Sequence, residues 1–184
     1  MIIVPAKLDE VPRLVQFRID AAAWLAPLGT DQWANPFPPE SIAASVSAGD
    51  VFVVKEGEDC EAVATVTLDR KIDPEIAELW TPAERAEPAL YVHKLTVDRR
   101  YGGRGLGARI LDWAGDRAAR QEARWLRLDA WTSNTKLHQY YLRQGFRHVR
   151  TTPDPAEVSG WLAQRPARRM PHAFDDRTTL TGQP

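Results

Sequence analysis

Residues 91–109 read YVHKLTVDRRYGGRGLGAR and predict a strand, a glycine-rich turn and the start of a helix. The strand prediction rests on the alternation of Leu95 and Val97 with polar neighbours. The helix prediction rests on apolar residues that recur at helical spacing after the turn. These residues are Leu106, Ile110, Leu111 and Ala114. Four glycines fall within six residues between the two elements, so the turn is the most informative part of the chain.

The glycine-rich turn is predicted to bind a phosphate or pyrophosphate group. Glycines allow a ligand to approach the main chain closely, and the N-terminus of a helix offers free N–H groups and partial positive charge. Arg100 and Arg104 add formal positive charge. The alternative is a tight turn without a ligand, which rarely needs so many glycines and arginines together. The predicted contacts are Arg100, Gly102, Gly103, Arg104, Gly105, Leu106 and Gly107.

Two other phosphate-binding motifs compete for this stretch. A P-loop is disfavoured because no Gly-Lys-Ser/Thr sequence is present. Residues 103–108, GRGLGA, fit the dinucleotide fingerprint Gly-x-Gly-x-x-Gly/Ala, and Asp129 lies where a ribose-binding acid is expected. However, residues 98–101 separate the strand from the first glycine, and the chain has too few βα units for a doubly wound sheet.

Three motifs in order resemble those of the GNAT superfamily of N-acetyltransferases. Arg100-x-x-Gly103-x-Gly105, after a Leu-x-Val strand, is similar to the acyl-CoA pyrophosphate signature of that family. Downstream, Asn134 and the sequence YLRQGF at 141–146 resemble the family's Asn and Tyr-x-x-x-Gly-Phe motifs. The close similarity covers residues 91–146, and a looser likeness extends from the N-terminus. Gly102 departs from the pattern, because many members have a basic residue there; this weakens a phosphate contact but leaves the backbone cradle.

The resemblance implies a fold, a cofactor and a reaction. The implied fold is α/β (α+β), with a mixed, mostly antiparallel central sheet flanked by helices and splayed between strands near 91–97 and 125–131. The implied reaction is direct transfer of an acetyl group from acetyl-CoA to a primary amine through a tetrahedral intermediate. Main-chain N–H groups near Leu95 and Val97 would polarise the thioester carbonyl, as in an oxyanion hole. A catalytically silent acyl-CoA-binding regulatory module is the alternative.

Three residues are singled out beyond the glycine turn. In the resembled family the motif tyrosine, here Tyr141, donates a proton to the departing thiolate; packing against the sheet is the alternative, and Tyr140 is misplaced by one residue. His93 precedes Leu95 by two residues, so we expect it on the same strand face, as a general base, a water relay or a packed histidine. Asn134 either contacts the pantetheine arm or caps a helix. The other histidines lack metal-ligand spacing, and no metal is expected.

Two predicted loops form the expected acceptor pocket. The first, residues 29–39, contains Asp31, Trp33 and Phe37; the second, residues 151–158, contains two more acids, and neither has Lys or Arg. Carboxylates and aromatic rings would attract a cationic small amine, although an amine of a peptide or protein is the competing acceptor. The net charge of −1 does not favour nucleic acid or an anionic membrane as a partner.

The whole chain of 184 residues predicts one domain over 1–164 and a polar tail or arm over 165–184, which could pack on a second copy in a homodimer. Cys60 is the only cysteine, so internal disulfides are excluded, and no signal-like or membrane-spanning apolar run is present. We therefore expect a cytoplasmic protein.

Asp9 is predicted to cap the first helix. The other elements are predicted as strands near 2–4, 51–55, 62–68, 146–150 and 159–164, helices near 9–26, 40–48 and 134–144, and an irregular charged segment at 70–88.

Overall fold

The computed structural model describes residues 1–29, 32–33, 38–154 and 158–178. They form one eight-stranded sheet in the order β6-β7-β5-β4-β3-β2-β1-β8, flanked by helices. The strands are β1 (Ile2–Pro5), β2 (Val51–Lys55), β3 (Ala62–Asp69), β4 (Ala89–Val97), β5 (Trp125–Ala130), β6 (Arg147–Thr151), β7 (Trp161–Pro166) and β8 (Asp175–Asp176). The α-helices are α1 (Val11–Leu25), α2 (Pro39–Ser47), α3 (Pro82–Ala86), α4 (Leu106–Arg120) and α5 (Thr135–Arg143). No helix among these residues is long and apolar enough to cross a membrane.

The sheet is mixed and mostly antiparallel, which confirms the predicted fold class. β1 with β2, β2 with β3, β5 with β7 and β6 with β7 are antiparallel pairs. β4 with β5 and β1 with β8 are parallel. This arrangement excludes the doubly wound dinucleotide-binding fold, which requires a mostly parallel sheet.

The parallel pairing of β4 and β5 is short. It runs from Ala89 opposite Trp125 to Val92 opposite Leu128, although both strands continue beyond these residues. Among the described residues no further β4–β5 pair follows. The two strands therefore part where the resemblance implied a splayed sheet.

The described residues divide into two compact units. The first comprises Met1–Thr67, Lys94–Gly107 and the described residues from Ala173 onward; the second comprises Leu68–His93 and Ala108–His172. One core cluster of the first unit lies among α1, α2, β2 and β3, and its largest side chain is Phe17. One core cluster of the second unit contains Ile76, Trp80, Ala89, Tyr91 and Leu162. The single-domain assignment stays a prediction.

The charged segment at 70–88 is more ordered than the sequence indicated. It contains a 3-10 helix (Pro74–Leu79), α3 and the buried Trp80. Two of its acids are in ion pairs with other parts of the chain: Glu84 pairs with Arg150 at 2.9 Å, and Glu87 pairs with Arg127 at 3.0 Å. The partners lie on β5 and β6, so no local period in the segment could indicate them.

Two helix and strand ends also differ from the prediction. Asp9 does not cap α1, because a 3-10 turn (Leu8–Glu10) precedes the helix and the Glu10 carboxylate accepts the Lys7 N–H at 2.9 Å. The last long strand begins at Trp161 rather than at 159.

The segment after β7 is attached rather than a free tail up to Thr178. The buried Asp116 carboxylate on α4 accepts the Met170 N–H at 3.0 Å, and β8 pairs with β1. These contacts join residues far apart in sequence, which explains why an aperiodic composition did not reveal them. Residues 179–184 of the predicted tail lie outside the described residues.

Arg127 stabilises the second unit. Its guanidinium is fully buried on β5, donates to Gln164, to the Tyr91 hydroxyl and to the Glu84 carbonyl, and pairs with Glu87. We expect Arg127→Ala to lower the free energy of unfolding by about 3 kcal/mol, because it leaves several buried polar partners without their donor. Urea denaturation measures this loss.

Arg124→Ala is the matched control for this prediction. Arg124 pairs with the same Glu87 at 2.9 Å, but its side chain is 66% exposed. It should cost about 1 kcal/mol or less. Equal losses in the two variants would contradict the structural role of Arg127.

Candidate active site

The glycine-rich turn is organised by Asp98 at the end of β4. Its carboxylate accepts the Arg100 N–H at 2.9 Å and pairs with the Arg100 guanidinium at 2.7 Å. A 3-10 turn (Arg99–Tyr101) follows, and then the glycines. Gly103 and Gly105 have φ values of +74° and +70°, which residues with side chains rarely adopt.

The turn and α4 together form a backbone cradle. A Cβ atom built on Gly103 or Gly105 would meet nothing within 4 Å, so open space lies beside the main chain at both positions. Helix α4 begins at Leu106, and its first N–H groups have no carbonyl partner within the helix. Free N–H groups, the positive end of the helix dipole and open space suit a phosphate or pyrophosphate.

Asp98 also ties the turn to helix α1. Arg13 on α1 donates to the Asp98 carboxylate at 2.6 Å. Hydrogen bonds from Arg100, assisted by Arg13, hold the pKa of Asp98 well below its usual range despite opposition from burial. Asp98 is therefore an anion at neutral pH and anchors both arginines.

His93 lies between two carboxylates of the second unit. Its Nε2 atom is 3.7 Å from Asp69 Oδ1, and its Nδ1 atom is 3.7 Å from Asp129 Oδ1. The imidazole stacks on the Tyr91 ring at a centroid distance of 6.3 Å. Ser159 donates to the other oxygen of Asp129 at 2.5 Å.

The register of β4 and β5 explains this grouping. Tyr91 is opposite Arg127, so continuing the register by two residues sets His93 opposite Asp129. The two polar pairs share a strand face, because side chains two residues apart point the same way. Asp69, at the end of β3, completes the cluster.

The contacts among His93, Asp69 and Asp129, together with burial, shift the pKa values of these three residues. Burial disfavours the imidazolium, but the hydrogen bond that the His93 ring donates to Asp69 and the charges of Asp129 and Asp69 outweigh it and raise the pKa of His93. Burial opposes ionisation of Asp69, but contacts with His93 and the Lys71 N–H lower its pKa on balance. Burial raises the pKa of Asp129. A histidine with these neighbours can hold and release a proton near neutral pH.

Lys94 interrupts the alternation of β4. Its φ of +53° is unusual for a residue other than glycine, and the burial pattern changes at the same point. The expectation that His93 shares a face with Leu95 and Val97 assumed a regular strand through Lys94 and stays a prediction. Backbone outliers of this kind are common near functional sites.

Tyr141 and Asn134 lie at opposite ends of α5. The Tyr141 side chain is buried at 8% exposure, and burial raises the pKa of its phenol, so it remains protonated at neutral pH. Its ring meets Phe146 edge to face. The Asn134 side chain accepts the Leu137 N–H at 3.1 Å, so the helix-cap interpretation of Asn134 is confirmed.

Comparison with known proteins agrees with these features. Residues 18–146 match the Acetyltransferase (GNAT) family. The chain belongs to this family. YesJ of Bacillus subtilis (strain 168), an uncharacterized N-acetyltransferase, is 32% identical over 165 residues, which cover 85% of this chain and 84% of that protein.

Solved GNAT structures share the fold. A GNAT family acetyltransferase from Listeria monocytogenes 4b F2365 has a TM-score of 0.75 and 22% identity, covering 90% of this chain and 94% of that one. The yncA protein of Salmonella typhimurium, solved with its cofactor acetyl-CoA, has a TM-score of 0.62 and 16% identity, covering 96% and 98% of the two chains.

The predicted acceptor pocket of this GNAT protein is only partly described. Asp31 and Phe37 lie outside the described residues. Trp33 is half-buried, and the Arg18 guanidinium lies 4.5 Å from the centre of its ring. Of the described residues, no three His, Cys, Asp or Glu side chains are grouped to hold a metal ion.

The sequence did not identify the partners of His93. Asp69 was assigned to no site, and Asp129 was considered only as a ribose-binding acid. The sequence did indicate that Asp129 and Arg127 share one face of β5, because the polar residues of this strand alternate with its apolar ones. The strand pairing was needed to set them opposite β4.

We expect Asp69→Asn to lower the pKa of His93, because it removes a neighbouring negative charge while keeping the side-chain shape. Titration of the His93 imidazole by NMR measures the change. Asp112→Asn, which removes a carboxylate paired with Arg165 at 3.4 Å, is the control and should leave the titration unchanged. An unchanged His93 titration in Asp69→Asn would show that Asp69 does not act on the imidazole.

Proposed function

We propose that this GNAT protein transfers an acetyl group from acetyl-CoA to a primary amine. The observation that carries the proposal is the backbone cradle at Gly103, Gly105 and the start of α4, which follows the strand bearing His93 after one 3-10 turn. The yncA protein, with the same fold, was solved with acetyl-CoA, which supports this choice of acyl donor.

The cradle would hold the pyrophosphate of CoA. Main-chain N–H groups of Gly103–Leu106 supply the contacts, and Arg104 supplies positive charge near them. Arg100 already pairs with Asp98, so its first role is to shape the turn. When bound, acetyl-CoA supplies the thioester that an amine attacks, and main-chain N–H groups near Leu95 and Val97 would face its carbonyl oxygen.

His93 would take the proton that the acceptor ammonium must lose. Only the neutral imidazole accepts a proton, so the rate should rise with pH through the His93 pKa and fall below it. Asp69 and Asp129 stabilise the imidazolium that forms. Their effect on the pKa makes His93 a stronger base than an isolated histidine.

Tyr141 would donate a proton to the departing sulfur. In this step the nitrogen–carbon bond forms, the carbon–sulfur bond breaks, and the phenol proton passes to the thiolate. The raised pKa of Tyr141 keeps that proton available at neutral pH. The phenolate regains a proton from solvent or from the imidazolium.

The cradle assignment predicts a loss of CoA binding in Gly105→Glu. The new carboxylate stands where a phosphate would approach the backbone, so affinity should fall by roughly tenfold or more in calorimetry. Gly49→Glu is the control: Gly49 has a similar φ of +75° and open space around it, but lies outside the turn. It should bind CoA as the wild type does, and equal binding by both variants would refute the cradle.

Release of free thiol with a panel of amines tests turnover itself. The panel contains polyamines, amino sugars, amino acids and short peptides. We expect release with at least one small amine. A protein that binds CoA but releases no thiol with any amine is the silent acyl-CoA-binding module, and selective use of peptides would make the acceptor a protein amine.

We expect Tyr141→Phe to lower turnover on the order of 100-fold, the loss expected for a general acid, while CoA binding stays nearly intact. Phe preserves the packing against Phe146. Tyr140→Phe, the adjacent substitution, should leave turnover close to that of the wild type. Unchanged turnover in Tyr141→Phe, with chemistry rate-limiting, would reduce Tyr141 to a packing residue.

A further inference from the structure

A cavity in the first unit contains two cationic side chains. It encloses about 360 Å³ including its solvent-filled mouth. Its lining residues are Leu14, Arg18, Ile42, Ser45, Val51, Thr65, Thr67 and Lys94. Among the described residues that line it there is no Asp or Glu. The enclosed part of this space is about 30 Å³, which is room for a group the size of a carboxylate.

Regular elements set these side chains around the cavity. Leu14 and Arg18 are four residues apart on α1 and so share a helix face, as Ile42 and Ser45 do at a spacing of three on α2. Thr65 and Thr67 share one face of β3, because they are two residues apart on a strand. The lining side chains are thus held by helices and strands, and a rigid lining of this kind favours the binding of one specific ligand.

The polar groups divide into cationic donors and hydroxyl oxygens. Arg18 and Lys94 carry only donors, and burial lowers the pKa of Arg18. Ser45 donates its hydroxyl hydrogen to the Ser41 carbonyl at 3.1 Å, and Thr65 donates to the Phe52 carbonyl at 3.2 Å. The oxygens of these two hydroxyls therefore keep lone pairs that can accept an N–H.

The lining suits a molecule with an anionic group and an amine. Arg18 and Lys94 match a carboxylate, and the hydroxyl oxygens match an ammonium or amine. Lys94 is the next residue after His93, and its backbone has a φ of +53°. The cavity thus includes the residue adjacent to the proposed base.

We propose that this cavity binds the carboxylate of the acceptor, so that the substrate is a small amino acid-type amine rather than a polyamine or an amino sugar. This inference rests on the proposed acetyl transfer and narrows its acceptor. It also revises the expected electrostatics of the pocket, because two cations are among the described residues that line the cavity. Of the acids in the predicted loops, Asp154 is not one of these lining residues, and Asp31 and Glu157 lie outside the described residues.

Matched pairs of acceptors test the carboxylate. Each L-amino acid is compared with its primary amide by thiol release, so that the two differ only in the charged group. We expect the wild type to prefer the acid in kcat/KM by roughly tenfold or more, the size of one lost hydrogen bond to a charged group. Preference for the amides would overturn the proposal.

Variants then assign the preference to the cavity. Arg18→Met and Lys94→Met should each reduce the acid-to-amide ratio several-fold or more. The controls are Arg143→Met and Lys7→Met, which alter exposed residues away from the cavity and should keep the wild-type ratio. An unchanged ratio in both cavity variants would refute the role of these cations.

Binding of the product class gives a readout that does not need turnover. Thermal shifts with CoA are measured for N-acetyl amino acids and for their amides. Larger stabilisation by the acids, lost in Arg18→Met, supports the proposal, and equal stabilisation overturns it. Stabilisation by CoA together with thiol release from amines that lack a carboxylate would leave acetyl transfer standing and refute only the carboxylate site.

A phosphorylated amine tests whether the two cations bind a phosphate rather than a carboxylate, because Arg and Lys can bind either anion. O-phosphoethanolamine is compared with ethanolamine in the same assays. We expect the amino acids to be the better acceptors. Stronger use of O-phosphoethanolamine than of any amino acid would replace the carboxylate with a phosphate and overturn the proposal as stated.

Discussion

The short parallel contact between β4 and β5 is the constraint from which the candidate site follows. Four residue pairs hold the strands together, and the pairing ends at Val92 and Leu128. One residue further along each strand, the side chains are a histidine and an aspartate rather than apolar groups. A buried sheet tolerates such polar groups only when they find partners, and here they find each other and Asp69. Beyond this point β4 continues without β5, beside β3, into the turn that the glycines form.

Much of this fold could be predicted from periodicity. The glycine turn between a strand and α4 and the strands β2, β3 and β5 have local patterns in the sequence, and all of them are present in the structure. The same holds for the cap at Asn134, because capping involves residues three positions apart. An interaction can be predicted from a sequence when the interacting residues are near one another along the chain.

The rest depended on contacts over long sequence separations. Trp80 and Glu84 are buried or paired because β5 and β6 lie beside them, and nothing in residues 70–88 encodes that. β8 pairs with β1 across almost the whole chain. The positive φ of Lys94 could not be predicted from the sequence either, because lysine has no preference for that conformation. The cations of the cavity come from α1 and β4, and each is an ordinary surface residue in its own segment.

Helix α1 carries arginines that serve two different places. Arg13 is bonded to Asp98 beneath the glycine turn, and Arg18, five residues later, lines the cavity. Both residues belong to one helix, so a ligand that displaced α1 at Arg18 would also displace Arg13 and the turn that it anchors. Thermodynamic linkage requires any such coupling to be reciprocal: each ligand changes the affinity for the other by the same factor. In the proposed reaction, α1 would therefore couple acceptor binding at Arg18 to cofactor binding at the turn that Arg13 anchors.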